Sequence, residues 1–179
     1  MQKIGMKIFY SHYYFLKRYN QIEKLAESIK DKNMQPIIAD SFIMSNKLDM
    51  GKKYLNDIKQ DDVYFLLSAK IDIAEGNFTR AATKVKQIQN DNEKLSLLFY
   101  AVGDKFAKIT PDFLGNFQFK ERANNDYVYY YTGIKYFEKK DYANSMLYFS
   151  LIGFNKSLIN SASFYQGMAS LSVDINRAE

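Results

Sequence analysis

Few residues in this chain are of the types that enzymes use for chemistry. Histidine occurs once, at His12, and cysteine is absent, which excludes a catalytic histidine pair, a histidine-rich metal site, a thiolate nucleophile and a disulfide. Asp61, Asp62 and Asp141 could act as general acids or bases, but each lies where a helix cap or turn is expected. Phosphate-binding glycine loops, zinc-ligand spacings and nucleophile elbows are missing from the sequence as well. We therefore expect no enzyme activity and no cofactor or metal, with His12 at the surface or at the edge of a core.

The composition favours a helical protein with a real core. The chain has 179 residues, of which 47% are apolar and 16% aromatic, with only two prolines and eight glycines. This length suits one ordinary domain or about five helical hairpins. Scarce proline and glycine favour helices over a turn-rich β protein.

Charge and hydropathy indicate an ordinary solvated surface. The net charge of +5 comes from 25 basic and 20 acidic residues that are spread along the chain, whereas nucleic-acid binders usually concentrate their positive charge. No run of 18 apolar residues predicts a membrane-spanning helix, and polar residues from Ser11 to Arg18 interrupt any secretion signal. We expect no membrane insertion and a soluble protein, cytoplasmic by default, or periplasmic if the chain is a fragment of an exported protein.

Residues 126–155 predict a helical hairpin that the rest of the chain repeats less clearly. Apolar residues recur every three to four positions on both sides of a polar turn at 138–141, which is the period of an amphipathic helix. Gly133 lies within the first helix, where glycine is about 1 kcal/mol worse than alanine. We expect a neighbouring helix to pack closely against it.

This hairpin resembles a tetratricopeptide repeat, a helix-turn-helix unit of about 34 residues. Tyr129, Gly133 and Tyr136 match the large, small and tyrosine positions of the first helix, and Tyr142 matches the aromatic residue that opens the second. Ser145 stands where the family usually has alanine. The resemblance implies an all-α, right-handed α-solenoid of about five antiparallel hairpins, with residues 1–179 as one repeat domain. Because both ends of the chain interrupt the repeat pattern, we also expect it to be a piece of a longer repeat protein.

The same pattern divides the rest of the chain into less regular units. Paired helices are predicted over 3–17 and 21–30, over 35–44 and 49–59, and within 61–89, followed by an irregular unit at 92–125 and a last helix at 157–173. The second helices begin near Tyr19, Leu48, Phe78, Thr110 and Tyr142, at intervals of roughly 30 residues. The expected helix caps are Asp49, Asp61 or Asp62, and Thr110 ahead of Pro111. The expected core residues of the irregular unit are Phe113, Phe117 and Phe119.

The family geometry also implies a concave groove lined by the first helix of each hairpin, beside the packing residues. Carried over position by position, it assigns to the groove Leu66, Lys70, Ile73, Leu98, Val102, Lys105, Tyr127, Tyr130, Ile134, Phe137, Phe164, Met168 and Leu171. Most of these side chains are apolar, and a helix that is apolar almost all round should be buried. Three explanations stay open: the solenoid buries its own groove, further chain covers it, or an amphipathic segment of a partner docks there.

The expected function is protein–protein interaction, as a scaffold or assembly factor that binds a hydrophobic or helical peptide. By family analogy alone, such repeat proteins often serve bacterial secretion, pilus or motility machines. The alternative is a helical-repeat RNA- or DNA-binding protein that uses Lys70, Lys105 and Lys135 with tyrosines as stacking platforms. Salt distinguishes the two, because only nucleic-acid binding should weaken steeply as ionic strength rises.

Overall fold

The computed structural model describes residues 18–29 and 31–178, and within this part every regular element is helical. Its ten α-helices are α1 Tyr19–Leu25, α2 Gln35–Met44, α3 Leu48–Leu55, α4 Asp62–Ala74, α5 Phe78–Gln87, α6 Asp91–Asp104, α7 Pro111–Leu114, α8 Arg122–Glu138, α9 Tyr142–Ser150 and α10 Lys156–Ala178. Single 3₁₀ turns follow α1, precede α2 and follow α6. The predicted all-α class is confirmed. His12 and the helix predicted over 3–17 lie outside the described residues.

Three hairpins, α2–α3, α4–α5 and α8–α9, share one kind of turn. Each turn has three residues, at 45–47, 75–77 and 139–141, and its middle residue has a positive φ of 59° at Asn46, 79° at Gly76 and 61° at Lys140. A left-handed residue just past the last turn is a common way to end a helix. The helices that follow begin at Leu48, Phe78 and Tyr142; the starts at Phe78 and Tyr142 are as predicted, whereas α3 begins one residue before its predicted range of 49–59.

The backbone hydrogen bonds of the three turns also repeat. In each, the amide of the last turn residue donates to the carbonyl five positions earlier, with N···O distances of 2.8 Å for Lys47, 2.7 Å for Asn77 and 3.0 Å for Asp141. This bond is the mark of a Schellman motif, which satisfies carbonyls at the end of a helix. One local structure therefore recurs three times along the chain.

Small residues allow two of these hairpins to pack closely. A Cβ added at Gly133 would lie 2.7 Å from the Phe149 ring, and one added at Gly51 would lie 2.9 Å from the Ile43 side chain. Both distances are too short for any real Cβ. Ser145, which faces Gly133 from α9, is fully buried, and its hydroxyl donates to the Gly133 carbonyl oxygen at 3.1 Å. The close packing predicted at Gly133 is confirmed.

Most of the predicted caps are present. The Asp61 carboxylate accepts from the amides of Val63 and Tyr64 at 3.1 and 3.3 Å, and the Thr110 hydroxyl caps α7 ahead of Pro111. The cap predicted at Asp49 is wrong. Because the preceding turn closes at Lys47, α3 begins at Leu48 and Asp49 falls inside its first turn. A carboxylate in this position still stabilises the helix by interacting with the helix dipole.

The chain divides into two compact units, Met1–Ile88 and Gln89–Glu179. In the first, α2 packs against α1, α3 and α4, and α4 packs against α3 and α5. Its fully or almost fully buried side chains include Ile38, Leu67, Ile73, Val85 and Ile88. A buried ion pair joins two of these helices: Lys70 Nζ lies 2.9 Å from Asp40 Oδ1 and 3.0 Å from Asp40 Oδ2.

The second unit is organised around α8, which packs against α6, α7, α9 and α10. Helix α7 has only four residues, so the irregular unit predicted at 92–125 does not form a hairpin of two full helices. The chain after α7 fills the core instead, because Phe113, Phe117 and Phe119 are 4%, 2% and 7% exposed. Their predicted core role is confirmed.

Candidate docking surface in the second unit

A buried carboxylate fixes the start of α10 on α8. Asp126, in the first half of α8, is fully buried. Its oxygens accept from the backbone amides of Gly153, Phe154 and Asn155 at 3.4, 2.7 and 2.6 Å. The Asn155 side chain then accepts from the Leu158 amide at 3.3 Å, inside the first turn of α10. These bonds satisfy backbone donors at the turn into α10, and the negative charge suits a helix N-terminus.

One side of α10 belongs to the core. Ala162 and Ala169 are 2% and 0% exposed, and Leu158, Ile159 and Tyr165 pack against a cluster built on Phe149 and Ile152. The Gln166 amide also donates to the Met146 carbonyl of α9 at 3.3 Å. The rotation of α10 about its own axis is therefore fixed.

A second side of α10 carries an exposed apolar stripe. Phe164, Met168 and Leu171 are 65%, 41% and 65% exposed, at spacings of four and three residues that place them on one face. At 3.6 residues per turn this face lies about 140° around the helix from the buried alanines. We call these three residues the α10 stripe.

More exposed apolar side chains lie nearby in sequence. Leu147, Leu151 and Phe154 are 55%, 46% and 57% exposed. Together with the α10 stripe they make six of the nine large hydrophobic side chains that are exposed in the described part of the chain. Single exposed hydrophobic residues are normal, but concentrated ones mark interaction surfaces.

Tyr165 brings three of the predicted groove residues together. Its ring centroid lies 6.3 Å from that of Tyr130, 5.4 Å from Phe137 and 5.7 Å from Phe164, and it stacks on Phe149 at 5.5 Å. Offset and edge-to-face ring contacts at these distances add to the stability gained by burial. Phe164 of the α10 stripe therefore adjoins a cluster of packed aromatic rings.

Two tyrosines of α8, Tyr130 and Tyr131, have raised pKa values. Burial raises the pKa of Tyr130 above its ordinary value of 10.0, and Tyr165 raises it further, against an opposing effect of the hydrogen bond with Ser161. The pKa of Tyr131 is also raised, first by burial and then by Tyr130 and Tyr127. A neutral phenol suits packing and hydrogen bonding, and neither phenol is activated as a base.

The structure distributes the other predicted groove residues differently. Lys70, Ile73 and Leu98 are buried at 4%, 1% and 0% exposure, so none of them lies on an accessible surface. Lys70 is buried because its ammonium pairs with Asp40. The half-buried members are Leu66, Val102, Lys105, Tyr127, Tyr130, Ile134 and Phe137.

Sequence reasoning missed several residues of this region. Phe99 is 42% exposed, and its ring meets that of Tyr127 edge to face at 5.1 Å. The sequence did not indicate that Asp126 is buried, because a single aspartate before an apolar run is typical of a surface residue. Tyr165 lay beside the predicted Phe164, and the exposed Leu147, in α9, lies off the apolar stripe that predicted the hairpin.

Two other features are absent from the described residues, a metal-ligand cluster and a membrane-spanning helix. Residues 18–29 and 31–178 contain no group of three or more side chains that could hold a metal ion. No helix in the same part of the chain is both long and apolar enough to span a bilayer.

The second unit is thus a set of packed helices, one of which carries the exposed α10 stripe. Comparisons with protein-family profiles, curated proteins and solved structures find no match to the chain.

Proposed function

We propose that the chain is a protein-interaction module, a scaffold or assembly factor, that binds an amphipathic helix of a partner along the α10 stripe. The observation that carries the proposal is the exposure of Phe164, Met168 and Leu171 on one face of a helix whose position is fixed. Apolar residues spaced in this way form a ridge that fits the groove of another helix.

The surface chemistry of α10 favours an apolar partner. Between Lys156 and Asp174, residues 157–173 contain no Asp, Glu, Lys or Arg. Apart from the large apolar residues, most positions of this segment are serine, glycine or alanine. Such small side chains let another helix approach closely. We expect binding that depends on apolar burial and changes little with salt.

The proposal includes a helical-repeat architecture. Its support is the identical turn at 45–47, 75–77 and 139–141, together with close packing at Gly51 and Gly133. Repeat proteins stack such hairpins so that each one buries the apolar face of its neighbour. In this view α10 takes the position of the first helix of a further hairpin.

The nucleic-acid alternative loses two of its three lysines. Lys70 pairs with Asp40, and Lys135 is 5% exposed. The Lys135 ammonium donates to the Phe106 carbonyl at 3.2 Å and to Glu138 at 2.7 Å, and it lies 4.6 Å from the centroid of the Phe106 ring. Ammonium groups held in this way are not available to phosphates.

Site-specific photo-crosslinking in cells of the source organism tests the proposal. A photoreactive phenylalanine analogue replaces Phe164 or Leu171, and Ser170, which is exposed on the same helix but outside the α10 stripe, is the matched control position. We expect both stripe positions to crosslink the same segment of another protein, with the attached residues on one face of a helix, and position 170 to give little product.

Three results would contradict the proposal. The first is no protein product from either stripe position. The second is equal crosslinking from position 170. The third is attachment only to a second copy of this chain, which would make the stripe a self-association surface.

A further inference from the structure

A cleft of about 390 Å³ lies in the second unit, on a different part of the surface from the α10 stripe. Its walls come from the segment after α7 and from helices α8 and α9, and the residues that line it include Phe117, Phe119, Tyr129 and Tyr148. This volume is within the range of about 300–1,000 Å³ typical of small-molecule sites.

The cleft lies where the repeat pattern is broken. The second helices α3, α5 and α9 have 8, 10 and 9 residues, whereas α7 has 4. After α7 the chain continues without helix through residues 115–121, and this segment forms one wall. A shortened helix thus leaves room beside α8 that the regular hairpins do not have.

The lining is aromatic and uncharged. None of the described residues that line the cleft is Asp, Glu, Lys, Arg or His. The Asn125 amide is already engaged, because its Oδ1 accepts from the Phe119 amide at 3.0 Å and its Nδ2 donates to the Phe119 carbonyl at 3.1 Å. The lining offers no counter-charge, and the Lys94 ammonium beside it already donates to the Gln118 carbonyl at 2.9 Å, so a charged ligand would lose hydration here without full compensation. The cleft therefore suits a neutral ligand.

One hydroxyl at the cleft lacks a partner. Thr132 lines the cleft from α8 and is 2% exposed, and its Oγ1 is buried without a hydrogen bond to any described residue. A buried polar atom without a partner is unfavourable, so such atoms are rare in native proteins. A ligand with one hydrogen-bonding group would satisfy it.

We propose that this cleft binds a small, uncharged aromatic compound that packs against its half-buried tyrosines, Tyr129 and Tyr148, and exchanges one hydrogen bond with Thr132. The proposal is independent of the α10 stripe, because it rests on a different cavity and a different helix face.

Three probes of similar shape and different charge test the cleft. Benzamide is neutral, benzoate is an anion and benzamidinium is a cation. Each is titrated into the full chain while amide chemical shifts are followed by NMR. We expect benzamide to shift the amides of residues 115–121 and those around Thr132, and to bind at least several-fold more tightly than either ion. The proposal is overturned if benzamide causes no shift in the cleft at millimolar concentration, or if an ion binds as well as benzamide does.

Thr132→Val separates a binding role from a structural one. The substitution keeps the shape and removes the hydroxyl, so benzamide affinity should fall about five- to tenfold. The thermal midpoint of the free protein should stay the same or rise, because an unsatisfied buried group is lost. Unchanged affinity, or a clear fall of the midpoint, would overturn the role given to Thr132.

Gly115→Leu gives a second test that does not depend on Thr132. Gly115 lines the cleft in a right-handed helical conformation, with φ −60° and ψ −12°. An added Cβ meets nothing closer than 3.6 Å there, so the variant should fold. Its larger side chain should narrow the cleft and reduce benzamide binding at least several-fold. Undiminished binding would place the probe elsewhere.

Discussion

Removing the Asp126 carboxylate should release the start of α10 and destabilise the second unit. Asp126→Ala leaves the amides of Phe154 and Asn155 without the charged acceptor that they contact at 2.7 and 2.6 Å. Hydrogen bonds to charged groups contribute about 1.5–3 kcal/mol each, whereas the third bond, at 3.4 Å, adds little. The expected loss is therefore about 3–5 kcal/mol, and Asp126→Asn, which keeps one acceptor oxygen, should lose roughly half as much.

Asp141→Ala is the matched control. Like Asp126, Asp141 accepts hydrogen bonds at the start of a helix. It is only half-buried, however, and accepts from one backbone amide, that of Asn144, at 3.2 Å. Loss of such a cap costs about 1 kcal/mol. The two alanine variants should therefore differ by about 2–4 kcal/mol.

Urea unfolding followed by circular dichroism measures the stability change, and native-state hydrogen exchange locates it. In Asp126→Ala the amides of the first turns of α10 should lose protection first, because α10 loses its attachment to α8. A loss below 1 kcal/mol, or protection that falls equally across both units, would refute this explanation of how α10 is held.

Two further substitutions test the packing of the hairpins. Gly133→Ala should destabilise the protein by about 1–3 kcal/mol because the new Cβ overlaps the Phe149 ring. Gly103→Ala is the control: its new Cβ would have no atom within 4 Å, so the variant should be more stable by about 0.5–1 kcal/mol. Urea midpoints of the two variants that move in the same direction would contradict the close packing at Gly133. Lys70→Met should cost about 3–5 kcal/mol by leaving the buried Asp40 carboxylate without its ammonium partner. Adding Asp40→Leu should recover most of that loss, so a double variant no more stable than Lys70→Met would show that the charges do not act as a pair.

The sequence predicted local structure well because the signals for helix ends are local. Asp61 is followed at once by the amides that it caps, and Pro111 fixes the first turn of α7 beside its Thr110 cap. Gly133 was informative for a similar reason, since a glycine kept within a helix indicates close packing. The cap of α3 was predicted too far along the chain, at Asp49, because the end of the preceding helix decides where α3 begins.

The sequence did not predict the buried polar pairs. Lys70 and Asp40 are 30 residues apart, and the amides held by Asp126 are up to 29 residues away from it. Helical spacing shows which face a residue occupies, but it does not show which helix covers that face. Lys70 was therefore assigned to an open groove, although Asp40 holds it in the core. The exposed Leu147, Leu151 and Phe154 were missed as well, whereas Phe164, Met168 and Leu171 were among the predicted groove residues.

The central claim, that the α10 stripe binds a partner helix, is tested most directly by one affinity comparison. The helical segment identified by crosslinking is titrated into wild type and into a Phe164→Ser, Leu171→Ser variant by calorimetry, at low and at physiological salt. Positions 164 and 171 are exposed, so the serines should not disturb the core, and circular dichroism checks that the variant remains folded. We predict that the variant binds at least tenfold more weakly, since exposed aromatic and aliphatic anchors contribute most of the affinity at such surfaces, and that salt changes the wild-type affinity little. Equal affinity of a folded variant, or a steep loss of wild-type affinity as salt rises, would contradict the claim.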